Sequence, residues 1–253
     1  MSSSMHWRLI PLSSHTASMN MAIDHAISES VGKGEQLPTV RFYTWNPSAV
    51  SIGCFQSLHD EVDIAACKKA GVDIVRRRTG GGAVFHDSAG EITYSVIAPL
   101  SEFDGMGITE SYKIICGWVV NGLAELGIKG EFHPINDILV DGKKISGNAQ
   151  TRRGGVLLQH GTVLLDADVD LMFSLLRVKD IKIRDKLIKN VKERITKIAD
   201  FGKFSREEVY TALVAGLTQG KEYQEGKVTA EEMAFALKVK KIIYENDSWN
   251  GSR

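Results

Sequence analysis

The spacing of apolar positions changes several times along the chain, and each spacing predicts a kind of element. Two stretches place apolar residues three and four positions apart, which is the pattern of one face of an α-helix. These stretches run over residues 19–27 and 112–126. We therefore predict an early helix and a longer helix near the middle of the chain.

Short continuous apolar runs between these helices predict buried strands. They cover residues 40–43, 50–55, 72–75, 92–97 and 156–165. A further helix is expected over residues 60–70, and Ser205 with Glu208 and Thr229 with Glu232 have the spacing of capping boxes that open two late helices. Because strands and helices interleave without strict β-α-β order, we predict an α+β protein with mixed sheets flanked by helices on one side.

Composition narrows the class of protein without identifying it. The chain has 253 residues, zero formal net charge and a pI near 7.1, so nothing global indicates nucleic-acid or membrane binding. No apolar stretch reaches the ~20 residues of a membrane span. The three cysteines are widely spaced, which argues against a zinc site or a disulfide framework and favours a reducing cytoplasm. We expect one domain over residues 1–253.

The segment at residues 76–87 carries the clearest chemistry. It reads Arg-Arg-Arg-Thr-Gly-Gly-Gly-Ala-Val-Phe-His-Asp and follows an apolar run. Successive glycine N–H groups can curl around an anion, and arginines add forked positive charge, so the segment predicts a phosphate or carboxylate site. It is neither a Walker loop nor a dinucleotide fingerprint. The alternative is a glycine-rich hairpin flanked by solvated arginines.

A second cluster lies at residues 135–150. Asp141-Gly142 between apolar runs is a strong hairpin signal. Side chains alternate along a strand, so Lys144 and Ile145 should face opposite ways, and Lys144 is a candidate for a cleft. A surface hairpin with two solvated lysines, Lys143 and Lys144, is the alternative, and the pattern does not choose between them.

Together these segments resemble the lipoate branch of the lipoate–protein ligase and biotin–protein ligase fold. The likeness rests on residues 76–87, on Asn136-Asp137, on Lys144 to Gly147, on residues 159–162 and on Phe55-Gln56. The resemblance implies a catalytic domain of that fold, without the additional small domain of the longer ligases.

The resemblance also implies a reaction in two steps. Lipoate would be activated by ATP and Mg²⁺ to lipoyl-AMP, and a lysine of an acceptor domain would then take the lipoyl group. Lys144 would be the catalytic residue. Nucleotide contacts would come from Arg77, Gly82, Ala83, Val84, Phe85, Asn136, Asp137 and Lys144, with Mg²⁺ at Asp137. Contacts with the acyl substrate would come from Gly80, Gly81, Lys144, Gly147, His160, Gly161 and Thr162.

Two histidines are candidates for proton transfer. His86 and His160 lie in the matching segments, and for both we favour a structural role over that of a general base, because the attacking carboxylate needs no base. The expected partner is a dehydrogenase acyl-carrier domain or a glycine-cleavage carrier protein, with a separate accessory small subunit. Residues 179–197 carry eight basic and three acidic residues, and apolar residues run through them at helical spacing. This pattern predicts a solvated helix face or a surface that steers an acidic partner.

The chain also resembles acyltransferases of the same fold that need no ATP. Acyl transfer without ATP is therefore the alternative function. The likeness lies in residues 146–152 and 156–161. Such enzymes carry the acyl group on a cysteine just upstream of the lysine hairpin, where residues 130–137 hold none. Cys116 lies on the apolar face of its helix, so Cys54 is the one plausible substitute. A non-catalytic lipoyl-AMP carrier is a third interpretation, and it requires Lys144 to be dispensable.

Overall fold

The computed structural model describes residues 6–177 and 193–253. Its strands are β1 (His6–His15), β2 (Thr39–Trp45), β3 (Ala49–Ile52), β4 (Asp73–Arg76), β5 (Val84–His86), β6 (Glu91–Pro99), β7 (Glu131–His133), β8 (Asp137–Val140), β9 (Lys143–Arg153), β10 (Val156–Leu164) and β11 (Glu222–Glu225). Its helices are α1 (Ala17–Gly32), α2 (Leu58–Glu61), α3 (Ile64–Ala70), α4 (Ile108–Glu125), α5 (Val169–Leu175), α6 (Arg206–Thr218), α7 (Ala230–Val239) and α8 (Asp247–Asn250). Shorter helical turns lie at Leu100–Phe103, Ile198–Asp200 and Lys240–Tyr244.

Eight strands form a large mixed sheet in the order β11-β1-β2-β6-β10-β9-β8-β7. β1 pairs in parallel with β2 and β11, and the other neighbours are antiparallel. The fold is therefore the α+β architecture with mixed sheets that the sequence predicts.

Alternation along β6 shows how the large sheet is covered. Ile92, Tyr94 and Val96 belong to a core that includes α4 and α6, where Gly122 and Gly216 let the two helices meet closely. The intervening side chains face α1 and α7, which pack on the opposite side of the sheet. Helices thus cover both faces. The expectation of helices on one side was wrong, because every central strand of this sheet is buried on both faces and each face needs its own cover.

A second sheet of three strands, in the order β4-β3-β5, stands against the large sheet. Val50 and Ile52 face outward into a small core with Phe85, which α3 and α5 cover. Ala49 and Ser51 alternate with them and face inward. The inward face of this small sheet forms one wall of the site.

The predicted strands and the late capping boxes are confirmed, except that the strand expected over residues 50–55 ends at Ile52. The helix expected over residues 60–70 is interrupted, because Val62 forms a bridge with Leu176 and Asp63 caps the following helix by accepting a hydrogen bond from the Ala66 N–H at 2.9 Å. Most of the basic segment 179–197 lies outside the described residues. Across the two described ranges, no helix has both the length and the apolarity to cross a membrane.

Candidate active site

A cavity of about 160 Å³ lies between the two sheets. It collects residues from segments that are far apart in the chain: β2, β3, the glycine loop, β6, β9 and β10. Its lining residues are Met21, Tyr43, Trp45, Ser51, Arg77, Gly81, Gly82, Ala83, Val84, His86, Thr93, Asn136, Lys144, Gly147, Asn148, Ala149, His160, Gly161 and Thr162.

Most of the residues that the resemblance suggested therefore lie around one cavity. Three do not line it. Phe85 packs into the outer core of the small sheet, since it alternates with Val84 along β5. Gly80 lies beneath Phe55, and Asp137 reaches the site through a contact with Lys144.

Arg77 holds the glycine loop in place. The residue is 4% exposed, and its guanidinium donates to the carbonyl oxygens of Gly80 at 2.8 Å and Gly82 at 2.7 Å. It also donates to the hydroxyls of Thr79 and Ser51, both at 3.1 Å. Burial lowers its pKa to about 10, so it stays charged at neutral pH. All of these contacts are neutral, and the guanidinium forms no ion pair within the described residues.

Arg76 points away from the cavity. It is fully buried and donates to the carbonyl oxygens of Gly53, Gln56, Trp249 and Asn250 at 2.6–3.0 Å. The three neighbouring arginines thus do not act as one cluster. The alternative of solvated arginines is wrong for Arg76 and Arg77, because both side chains satisfy backbone carbonyls in the interior.

Lys144 points into the site because its strand is irregular. The pairing of β8 with β9 shifts by one residue after Ile138, and such a bulge redirects the following side chains. The Lys144 ammonium lies 2.7 Å from Asp137 Oδ1. A methyl group on Gly147 would come within 2.8 Å of the Lys144 Nζ, so glycine at this position leaves room for the ammonium. Lys143 is exposed.

Asp137 is the residue expected to position Mg²⁺. Its carboxylate pairs with Lys144, and the described residues contain no cluster of three or more His, Cys, Asp or Glu side chains suited to a metal ion. The magnesium assignment stays a prediction of the sequence.

His160 sits at the base of the cavity in neutral form. Burial is the main cause that lowers its pKa. Its Nε2 is 2.8 Å from the Thr79 hydroxyl, whereas its Nδ1 is 3.6 Å from Asp24 Oδ2, beyond a hydrogen bond. Burial alone would raise the pKa of Asp24, but the charge of Arg41 at 2.7 Å, together with His160 and Ser95, lowers it overall. A buried carboxylate with its charge neutralised by Arg41 supports a structural role for His160.

Ser51 was missed by the sequence reasoning. Its hydroxyl lies 2.8 Å from His86 Nε2, and His86 Nδ1 lies 2.8 Å from Glu91 Oε1. All three side chains are buried, and Ser51 and His86 line the cavity. The strand pattern carried a signal, since Ser51 stands as a polar residue between Val50 and Ile52 in a buried run.

The three cysteines occupy different environments. Cys67 and Cys116 are fully buried, and burial raises their thiol pKa values to about 11 and about 12. Cys54 is partly exposed on the loop after β3 and does not line the cavity. The two buried thiols are therefore inert at neutral pH.

The fold and the cavity agree with the resemblance seen in the sequence. Residues 16–218 match the model of the lipoyl protein ligase A/B catalytic domain. The chain belongs to this family. It is an enzyme of the lipoate- and octanoate-protein ligase and transferase group.

Curated relatives favour the alternative of the two functions considered above. The chain is 36% identical to octanoyltransferase LipM of Brevibacillus brevis, over 96% of this chain and 98% of that protein. It is 37% identical to octanoyltransferase LipM of Kyrpidia tusciae, again over 96% and 98%. The prediction of an ATP-dependent lipoate–protein ligase as the main function was wrong. That prediction disfavoured acyl transfer because one short segment, residues 130–137, lacks a cysteine. The similarity to octanoyltransferases, however, extends over 96% of the chain.

A solved structure shares the fold closely. The chain is 34% identical to a bi-partite lipoate protein ligase from Thermoplasma acidophilum, with a TM-score of 0.89 over 98% of this chain and 96% of that chain. That structural work also concerns an E2 lipoyl domain. The requirement of this chain for an accessory subunit stays a prediction.

Proposed function

We propose that this protein transfers an octanoyl group, without ATP, from an activated thioester donor to a lysine of an acceptor protein domain. The observation that carries the proposal is its similarity to octanoyltransferases along nearly the full length of both proteins. An acceptor related to the E2 lipoyl domain studied with the Thermoplasma ligase fits this activity.

The shape and lining of the cavity support an acyl substrate. Met21, Tyr43, Trp45, Val84 and Ala149 contribute apolar surface on several sides of a narrow space. Burial of an alkyl chain against such surface is favourable by about 0.8 kcal/mol for each methylene group. The same surface would accept a lipoyl chain, so the cavity favours medium-length acyl groups as a class.

Lys144 supplies the charge that acyl transfer needs. The carbonyl oxygen becomes negative when an amine or hydroxyl attacks it, and a fixed cation near that oxygen stabilises the transition state. The Lys144 ammonium lines the cavity and is held by Asp137, so its position is set before the substrate binds. We assign it to this role.

The function can be tested by mass spectrometry of an acceptor domain. One reaction contains the protein, an octanoyl thioester of an acyl carrier and no ATP. The other contains octanoate, ATP and Mg²⁺ without the thioester. A mass gain of one octanoyl group in the first reaction alone is the expected result. A gain in the second reaction alone would overturn the proposal.

Lys144 offers a direct test of the site. Lys144→Ala should lower the rate of acyl transfer by about a hundredfold or more, which is typical for loss of one preorganised group that stabilises developing charge. Lys143→Ala is the matched control, since Lys143 is exposed on the same strand. Equal rates for the two variants would remove Lys144 from the mechanism.

A further inference from the structure

An acyltransferase that uses a covalent intermediate needs a nucleophile in its acyl site. Cys67 and Cys116 are sealed in the core, and Cys54 does not line the cavity. The segment before the lysine hairpin, residues 130–137, contains no cysteine. A different side chain must serve if an acyl-enzyme forms.

Ser51, His86 and Glu91 have the arrangement of a catalytic triad. A carboxylate can only accept a hydrogen bond, so the 2.8 Å contact with Glu91 places the proton of neutral His86 on Nδ1. His86 Nε2 is then an acceptor, and the Ser51 hydroxyl donates to it at 2.8 Å. This is the geometry in which a histidine removes the proton of a nucleophilic serine.

The surroundings of His86 keep its ring in this orientation. The Trp45 ring stacks on the imidazole with centroids 3.9 Å apart. Trp45 Nε1 donates to Thr93 at 2.8 Å, and Thr93 donates to Glu91 Oε1 at 2.7 Å. Glu91 is fully buried, and its Oε2 finds no hydrogen-bond partner among the described residues. A buried carboxylate of this kind stabilises an imidazolium that forms during the reaction.

The position of Ser51 suits attack on an acyl group. It lies in the cavity wall, and Arg77 Nη1 donates to its hydroxyl oxygen at 3.1 Å. That guanidinium is buried and balanced by no carboxylate within the described part of the chain, so it stabilises negative charge on the serine oxygen as the proton leaves.

Thr79, His160 and Asp24 form a similar arrangement nearby, but one of its hydrogen bonds is missing. Thr79 and His160 are 2.8 Å apart, but His160 Nδ1 is 3.6 Å from Asp24. Asp24 instead accepts hydrogen bonds from Arg41 at 2.7 Å and Ser95 at 2.6 Å. Hydrogen bonds therefore connect hydroxyl, imidazole and carboxylate in the Ser51 group, whereas in the Thr79 group the imidazole and the carboxylate are not hydrogen-bonded.

We propose that Ser51 is the nucleophile that carries the acyl group, with His86 as general base and Glu91 as the positioning residue. The inference rests on the proposed acyl transfer. Ser51 Oγ attacks the thioester carbonyl, its proton passes to His86 Nε2, and the C–S bond breaks as the thiolate takes that proton. The acceptor amine then attacks the serine ester. The C–N bond forms, the Oγ–C bond breaks, and one amine proton returns through His86 to Ser51.

The intermediate can be trapped with the full chain and an octanoyl thioester in the absence of acceptor. After an acid quench, intact mass and peptide mapping should show one octanoyl group on the peptide that contains Ser51. Neutral hydroxylamine should leave this oxygen ester in place, whereas it would remove a thioester. Ser51→Ala should abolish the adduct and lower transfer by more than about a thousandfold.

Three further variants separate a catalytic role from a structural one. Ser51→Cys should restore an adduct, now sensitive to hydroxylamine, which a misfolded protein would not form. His86→Gln should slow adduct formation by about a hundredfold. Ser48→Ala is the control, because Ser48 bonds to Ser88 at 3.1 Å outside the cavity and should keep full activity.

The outcomes distinguish this inference from the proposed function. Octanoylation of the acceptor with no adduct, or with an adduct on Cys54, would overturn the role of Ser51 and leave the transfer activity standing. An adduct on Ser51 without transfer to any acceptor domain would support the nucleophile and overturn the proposed function. Absence of both adduct and transfer would overturn both.

Discussion

Gly161 shows how one missing side chain supports the site. It lies on β10 between His160 and Thr162, and a methyl group built on it would lie 1.9 Å from Asn148 Oδ1. That oxygen accepts a hydrogen bond from the Tyr94 hydroxyl at 2.5 Å. Asn148 also exchanges hydrogen bonds with Asn136, which lines the cavity. Glycine is required here because two strands and a buried amide meet at this point.

Replacement of Gly161 by alanine should therefore be costly. Overpacking of this kind lowers the free energy of unfolding by about 1–3 kcal/mol, and we expect acyl transfer to fall with it because Asn136 moves. Gly117→Ala is the control, since nothing lies within 4 Å of the new methyl group and alanine favours the helix. Thermal unfolding of both variants checks the prediction. A melting temperature for Gly161→Ala equal to that of the control would contradict it.

At the scale of elements, a buried ion pair connects strand β1 of the large sheet to two helices. Arg8 on β1 donates to both carboxylate oxygens of Glu232 on α7, at 2.8 and 2.7 Å. Ser30 on α1 donates to the same carboxylate at 2.6 Å. Burial would raise the pKa of Glu232, but the hydrogen bonds and the charge of Arg8 lower it overall. The carboxylate is thus ionised and fully engaged in the folded protein.

Loss of this charge should destabilise the protein strongly. Glu232→Gln keeps the volume of the side chain but leaves Arg8 buried without its counter-ion, which costs about 3 kcal/mol or more. Glu231→Gln is the matched control, because Glu231 is exposed on the neighbouring position of the same helix. Urea unfolding measures both. The assignment fails if the two variants differ by less than about 0.5 kcal/mol.

Elements with a local signal were the ones that the sequence predicted. The capping boxes at Ser205 and Thr229 are correct because their hydrogen bonds join residues three apart. β11 had no such signal. Its four residues are exposed and none completes an apolar run, yet they pair in parallel with the first residues of β1. That pairing depends on a tertiary position that no short window of sequence contains.

For the whole molecule, local sequence signals predict the motifs, whereas the contacts that give those motifs their chemistry depend on the tertiary fold. The sequence predicted most of the segments that line the cavity, because glycines and lysines in those segments have recognisable spacing. It did not predict what Arg77 contacts, since the partner carbonyls depend on how the loop folds back. It also missed Ser51, whose partner Glu91 reaches it from the other sheet through His86. Side-chain networks between two sheets are a property of the assembled fold.

Buried neutral histidines make the stability of the whole molecule depend on pH. Burial, followed by the charges of Arg78 and Arg153, lowers the pKa of His25 to about 4. Glu29 at 3.7 Å and the Tyr244 hydroxyl at 3.3 Å face the ring without reversing this shift. The pKa of His160 is lowered in the same direction. In the unfolded chain both imidazoles take up a proton near pH 6.5.

The sign of the effect follows from these shifts. Between about pH 6.5 and pH 4 the unfolded state binds more protons than the folded state, so the free energy of unfolding falls as the pH falls through this window. We expect His25 alone to account for about 1 kcal/mol between pH 7.5 and pH 5.5. Urea unfolding at these two values should show that loss, and His25→Gln should reduce it. His59→Gln, at an exposed site, should leave the difference unchanged, and an equal response of the two variants would assign the pH dependence to other groups.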